Sequence, residues 1–552
     1  MRRESAPVSR RSVLSSRADA ATLIRAASLL IVVALLASRA DYVPMWDGRV
    51  YADCIVDATL KPLSLEALRC GGHASHVYIA FMVLVQSIAP TSYLPMLAAN
   101  TILLVAASIA FERILRLAFP SDDYKVDRAL LTAAFLLVPA ILASVVQPGI
   151  DFPLVPGLLW AMAFLLERKL LAATAVGVAM AFTKETGVLL FGVLVASYAL
   201  WFPLHEPGSI RSRLLGVLRL APLASPFVVF GSYVLYRSRV GPAGGSLIWN
   251  ATTIGEPFLH HLLVPRLDLY LINYLVIGLI LSFAWIPTAF ITLDGFVGTV
   301  RKAHRLPKRA LPGAKRDVVG FLLLFTVATA YALTRFATFG NSRYLVTLMA
   351  LLLLPFMGAL VRLGLPGGPR RAVLATFAVA LLVSTVRTVD PVSRWVYGTF
   401  PVGRNSMLHM TAITDECCGL GRDQLAYNLE FTSLDALTQR ALMTVPGIDS
   451  TTALVVPDST NWSTIGPLDA RTRRRTLGRR GTSTPEVIEP RDVVSGASRP
   501  QRLYYLALPY ASAARGAGDL ARFYEQGEVR RFESGGYTLP VYPYTTRGAP
   551  QP

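Results

Sequence analysis

Apolar runs long enough, or nearly long enough, to cross a bilayer recur along most of the chain. The first covers about 21–37, and others follow at 93–117, 129–146, 152–166, 170–182, 188–201, 220–236, 269–291, 318–333, 344–361 and 372–386, eleven in all. Several fall short of the ~20 residues that a perpendicular helix needs. Short, interrupted pairs such as 170–182 and 188–201 are what surrounds a cavity in a helical bundle. The stretch 76–89 is apolar for only about a dozen residues before Pro90, so it is expected to lie along the interface.

The basic residues decide the threading. If 76–89 does not cross, the loop from Arg301 to Arg316 lies inside, together with Arg168 and Lys169, Arg211 and Arg213, and Arg362 with Arg370 and Arg371. If it crosses, all of these move outside, against the positive-inside bias. The expected topology therefore has about eleven transmembrane helices, N-terminus cytoplasmic and C-terminal domain extracytoplasmic. The segment 121–128, whose charges nearly cancel, gives no vote.

Three regions result: a basic cytoplasmic tail over 1–20, a transmembrane domain over 21–388 and a soluble extracytoplasmic domain over 389–552. Within the second, 40–72 forms an external acidic loop and 76–89 the interfacial helix. Arg2, Arg3, Arg10, Arg11 and Arg17 precede the first apolar run, and no small-x-small cleavage pattern follows it, so the run reads as a retained signal anchor. In the tail, 425–443 and 518–526 have helix-like spacing. Residues 452–456, 503–508 and 537–542 read as strands, which together make a small α/β or α+β domain.

Mean hydropathy of +0.47, with 53% hydrophobic and 16% charged residues, identifies a polytopic membrane protein. The net charge of +19 sits in short loops as a topology signal, and without nucleic-acid motifs it does not indicate a nucleic-acid partner. Cys54, Cys70, Cys417 and Cys418 all fall outside under this threading. Cys54 and Cys70 are placed to bridge across the acidic loop, with two free thiols as the alternative.

Charged residues from distant segments also converge on the external side. Asp47, Arg49 and Asp53 follow the first run, and His73 and His76 open the interfacial segment. Asp151 follows the third run, Lys184 and Glu185 divide the fifth from the sixth, and Arg335, Arg343 and Tyr344 precede the tenth. Each alone has a plain account as a helix cap, an interfacial anchor or a polar surface residue. Together they supply acids for base chemistry and cations for an anion at the bilayer surface. Transfer of a sugar from a lipid-linked phosphate needs both: a base for the acceptor hydroxyl and positive charge, from a side chain or a divalent ion, on the departing phosphate.

This pattern resembles the GT-C glycosyltransferases, the polytopic enzymes that take sugars from polyprenyl-phosphate carriers, and within them the lipid A aminoarabinose transferases and protein O-mannosyltransferases. Asp47, Tyr51, Ala52 and Asp53 match the Asp-Glu-Thr-Arg-Tyr-Ala-Glu type stretch after the first helix, with Gly48 in place of the second acid. Residues 72–78 keep the His and Tyr of a His-Pro-Pro-Leu-Tyr-like start to the next helix, through His73 and Tyr78, and lack both prolines. Asp151, Thr183 with Lys184, and Arg343 with Tyr344 are similar to three further motifs, and the resemblance spans 21–357.

The resemblance implies that Asp47 is the general base and Asp53 its helper. It places Asp151 on the acceptor or a metal, and Lys184 and Arg343 on the carrier phosphate, with Arg49 and His73 as lesser candidates there and Tyr344 among the substrate-binding residues. It implies an inverting reaction with a polyprenyl-phosphate sugar donor, a lipid, polysaccharide or protein acceptor, and residence in the cytoplasmic membrane among its lipids. A divalent metal ion is the one cofactor to test. A polytopic transporter, or a ligase or polymerase of lipid-linked glycans, are the alternatives. The first would place its charges near the midplane, and the second would use the loop 239–268 with His260 and His261.

Overall fold

The computed structural model describes residues 10–38, 46–59, 62, 64–70, 73–90, 92–146, 148–204, 209–240, 283–304, 313–336 and 345–387. In the C-terminal region it describes 400–402, 406–408, 452–455, 486–488, 490–497, 499–506, 519–534 and 537–547. Fifteen described helices precede residue 388: α1 (Arg10–Ala37), α2 (Trp46–Thr59), α3 (His76–Gln86), α4 (Leu94–Ala118), α5 (Lys125–Leu136), α6 (Pro139–Val146), α7 (Leu154–Leu166), α8 (Leu170–Ala181), α9 (Glu185–Trp201), α10 (Ile210–Leu218), α11 (Ser225–Val240), α12 (Trp285–Ala303), α13 (Arg316–Phe336), α14 (Val346–Arg362) and α15 (Gly367–Arg387).

By length and composition, three of the described helices are able to cross a bilayer unaided: Ala20–Ala37 within α1, Leu94–Ala118 and Arg316–Leu333 within α13. Two bent pairs bring the number to five, Asp122–Leu136 with Pro139–Val146 at 50° and Ile210–Leu218 with Ala221–Arg237 at 51°. The described residues thus give three to five of the eleven expected spans by this criterion. Another five apolar helices of the described set, α3, α7, α8, α9 and α14, are only 10–17 residues long. The apolar stretches are helical where expected, but turn chemistry divides them. Pro139 cannot supply the N–H that would continue α5, and Pro222 lies in the 3-10 turn Ala221–Ala224 ahead of α11. Arg168, at φ 61°, closes the tight turn between α7 and α8. The stretch 269–291 falls largely outside the described residues, and α12, which begins at its end, runs on to Ala303 through the basic segment.

Leucine-rich α14 is buried around its whole circumference from Val346 to Val361, as an all-round apolar helix must be. Phe111 of α4 stacks on Phe135 of α5 with centroids 4.7 Å apart in the same core. Ile102 and Ile109 on α4, 60% and 54% exposed, form an outward apolar stripe suited to lipid.

The bundle has two chemically different ends, and α4, about 37 Å long at 1.5 Å per residue, separates them. One end is basic and laced with ion pairs. Arg25 of α1 meets Glu112 of α4 at 2.6 Å, and Arg113 pairs with Glu167, which also takes Lys169 at 2.8 Å. Arg370 grips the fully buried Asp127 with two bonds of 3.0 and 2.9 Å, and Lys315 donates its backbone N–H to Ala118 at 2.8 Å. The segments around 25, 112–128, 167–169, 313–316 and 362–371 therefore share one end. α1 leaves that end and α4 returns to it, with α2 and α3 between them in sequence.

The described C-terminal residues form a six-stranded mixed sheet and a two-stranded hairpin of β1 (Phe400–Val402) and β2 (Ser406–Leu408). β3 (Thr452–Val455) pairs in parallel with β4 (Glu486–Ile488) and β5 (Arg502–Leu506), and the short helix α16 (Pro490–Ser495) lies between the latter two in sequence. β8 (Tyr537–Thr546) runs antiparallel to β5, β6 (Tyr524–Gln526) and β7 (Arg530–Ser534), so it joins the sheet's two parts instead of closing an edge. Strand periodicity buries Leu503 and Tyr505 on one face of β5 and Leu506 on the other. The expected helix over 518–526 is corrected: after residues 519 and 520 the chain turns and enters β6, where Tyr524 is buried against the sheet. The stretch 425–443, Cys417, Cys418 and the arginines between 473 and 480 lie outside the described residues.

Candidate functional site

At the end opposite the basic network, the chain between α8 and α9 makes a close turn through Phe182, Thr183 and Lys184. Gly187 makes it possible. A Cβ there would lie 2.2 Å from the carbonyl oxygen of Met180, so only glycine permits this approach of α9 to α8. The Gly187 N–H closes on Lys184 O at 2.8 Å. The turn aims Lys184 at Asp151, in the loop before α7, and the two form an ion pair with only 7% and 14% of their side chains exposed. Charges this far out of water must be matched, which explains why a lysine and an aspartate from separate loops meet.

Glu185, the first residue of α9, reaches the loop ahead of α3. One carboxylate oxygen lies 2.9 Å from Nδ1 of His73, and the other accepts the Ala74 backbone N–H at 3.0 Å. An ionised carboxylate only accepts, so Nδ1 is the donor in this contact. The Val77 N–H of α3 donates to Phe182 O at 2.9 Å, which fastens the start of α3 to the same turn.

The loop between α2 and α3 is held internally. A Cys54–Cys70 disulfide, Cα atoms 5.9 Å apart, ties α2 to it, resolving the two alternatives in favour of the bridge. Buried Ser75 accepts the Cys70 N–H at 3.0 Å. Tyr51, Ala52 and Ile55 of α2 pack with Cys70, Tyr78 and Ile150, so α2, which carries Asp53, is seated next to the Asp151 loop. Below, Tyr78 donates to Asn100 Oδ1 at 3.1 Å, and Asn100 donates to Val145 O at 3.0 Å, satisfying a carbonyl orphaned where α6 ends.

A second group of side chains borders this one. The buried ring of His76 stands edge-on to Phe182 and Tyr233, with centroids 6.0 and 5.2 Å apart. Its Nε2 lies 3.4 Å from the Tyr233 hydroxyl. One turn further along α11, Arg237 reaches one oxygen of Glu66 at 3.0 Å, and Arg69 approaches the other at 3.5 Å.

Of the residues singled out from sequence, Asp151, Lys184 and His73 come together here, joined by Glu185 and His76, with α2 carrying Asp53 beside them. Asp47 and Arg49 lie in the first turn of α2, but their side chains lie outside the described residues. Arg343, Tyr344 and the side chain of Arg335 also lie outside them, as do His260 and His261. Among the described residues, no three His, Cys, Asp or Glu side chains converge as a metal site would require. Sequence reasoning missed Arg69, Arg237, Tyr233 and the Tyr78–Asn100 pair. A lone arginine near an apolar run looks like an end-of-helix anchor, and the one available signal was the Tyr233–Arg237 spacing that puts both on one helix face.

No family model and no curated protein matches the chain. Among solved structures, the chain is similar to the crystal structure of ArnT from Cupriavidus metallidurans bound to undecaprenyl phosphate, at 14% identity and a TM-score of 0.45, over 96% of this chain and 99% of that one. The apo structure of the same ArnT matches at 14% identity and a TM-score of 0.47, over 94% and 97%.

Proposed function

We propose that the chain is a membrane glycosyltransferase that moves a sugar from a polyprenyl-phosphate carrier to an acceptor hydroxyl at the outer face of the cytoplasmic membrane. The observation that carries this reading is the meeting of Lys184 with Asp151 and of Glu185 with His73 at the end away from the basic loops. By the positive-inside bias the basic end is cytoplasmic, so this site faces out, where a lipid-linked head group lies at the bilayer surface.

In this reading Asp47 takes the acceptor proton as the hydroxyl attacks the anomeric carbon with inversion, and Asp53 orients it. Lys184, steered by Asp151, faces the oxygen that departs with the carrier phosphate. Arg343 shares the phosphate with Lys184, and Arg49 and His73, the latter held by Glu185, are lesser contributors to its surroundings, with Tyr344 beside Arg343. A transporter is less well supported, because the ion pairs described above, among the described residues, lie toward the two ends of the bundle.

The test is to incubate purified protein with a panel of polyprenyl-phosphate sugars, with and without chelator, and follow donor consumption. Consumption of one donor by the native protein, abolished in Asp47→Asn while that variant still accumulates in the membrane, is the expected result. No consumption across the panel, or uptake into proteoliposomes without transfer, defeats the reading.

A further inference from the structure

Glu66 is the feature of this face that the proposed reaction does not use. Its carboxylate bridges two guanidinium groups from separate elements, Arg69 in the loop ahead of α3 and Arg237 on α11. Glu66 itself is 68% exposed, whereas the Arg69 and Arg237 side chains are 10% and 20% exposed. Two sequestered cations thus share one solvent-exposed acid. Among the described residues, both also keep a buried Nε that has no hydrogen-bond partner. Buried donors of charged groups are costly to leave unused, and guanidinium groups suit the oxygens of a phosphate.

From this we infer that Arg69 and Arg237 form a phosphate-binding subsite, in which Glu66 occupies the place of the anion until one arrives. A carboxylate presents two oxygens, one to each arginine, and a phosphate offers more oxygens and more charge in the same position. Glu66 can yield because most of its surface already faces water. The aromatic group of Phe182, His76 and Tyr233 borders the subsite and joins it to the Lys184 turn. Where the phosphate is that of a carrier lipid, the inference rests on the function proposed above; a free phosphate would use the same two arginines.

The experiment uses the full chain in nanodiscs of zwitterionic lipid, with two probes: polyprenyl monophosphate and inorganic phosphate. Native protein is expected to bind, with Arg69→Gln and Arg237→Gln each weakening binding by roughly tenfold to a hundredfold, the usual weight of a charged hydrogen bond. Glu66→Ala removes the competing acid at an exposed position and is expected to tighten binding several-fold, a gain that misfolding cannot imitate. Binding of the lipid probe alone identifies the carrier as the source. Binding of inorganic phosphate alone upholds the subsite and counts against the carrier reading, which the turnover assay judges separately. Unchanged affinity in both arginine variants, no tightening in Glu66→Ala, or no binding of either probe by native protein overturns the subsite.

Discussion

His73 and Glu185, 112 positions apart in sequence, meet at 2.9 Å, and the same carboxylate also takes the Ala74 N–H at 3.0 Å. One side chain thus fixes both the imidazole and the backbone beside it. Glu185→Gln keeps an oxygen for Ala74 and gives up the charge that holds His73. It is expected to cost about 1.5–3 kcal/mol, the range for hydrogen bonds to charged groups. Thermal unfolding of the purified variant measures that loss. Transfer activity should fall further than unfolding alone accounts for, because the ring is no longer held.

The Lys184–Asp151 pair invites a double-mutant cycle. Removing either partner leaves the other charge sequestered and unmatched, so Lys184→Met and Asp151→Leu should each destabilise by about 3–5 kcal/mol. The double variant should recover much of that stability and none of the activity. Two single effects that simply add would mean that the pair is not coupled in the folded protein.

The Cys54–Cys70 bridge closes a short loop, and closing one of about 15 residues is worth about 3 kcal/mol. Cys54→Ser with Cys70→Ser, or treatment with reductant, should lower the unfolding midpoint and reduce turnover together, because α2 and the His73 loop lose their shared anchor. The readout is thermal unfolding and donor consumption with and without reductant. A midpoint indifferent to reductant would mean that the two thiols are not bridged.

How much of this was legible beforehand depends on the kind of signal. Helix positions follow apolar runs, so α4, α9 and α14 fall close to their expected places. Span integrity did not follow, because a hydropathy window averages across Pro139 and the Ala221–Ala224 turn, where the chain bends by about 50°. Asp151, Lys184 and His73 were readable as costly polar residues beside apolar runs. Which of them pair was not, since the meeting of Lys184 with Asp151 or of Arg237 with Glu66 depends on the packing of elements far apart in sequence, which leaves no periodicity. β6 was misread as helix because its three residues are too few to show alternation.

Gly187→Ala tests whether the turn builds the site. A methyl group would lie 2.2 Å from Met180 O, a backbone atom that cannot rotate away. α9 would have to shift, and Lys184 and Glu185 would move with it. Overpacking of this kind costs about 1–3 kcal/mol, while activity is expected to fall to background. Folded protein with native turnover, measured by size-exclusion profile and donor consumption, would show that the close approach is dispensable.

The sidedness of the two ends is the broadest prediction, since Lys184 and Asp151 can meet an externally presented lipid head group only if their end faces outward. Arg25, Glu112, Asp127, Glu167 and Arg370 are locked together at the other end, so one labelled position at each end decides the whole bundle. Single cysteines at Glu66 and at Arg301, introduced with Cys54 and Cys70 left bridged and Cys417 and Cys418 changed to serine, should divide cleanly. A membrane-impermeant maleimide applied to intact cells should label position 66, and should label position 301 only after the membrane is opened. The reverse pattern would turn the site toward the cytoplasm and end the outer-face reaction, although every contact between the helices would still stand.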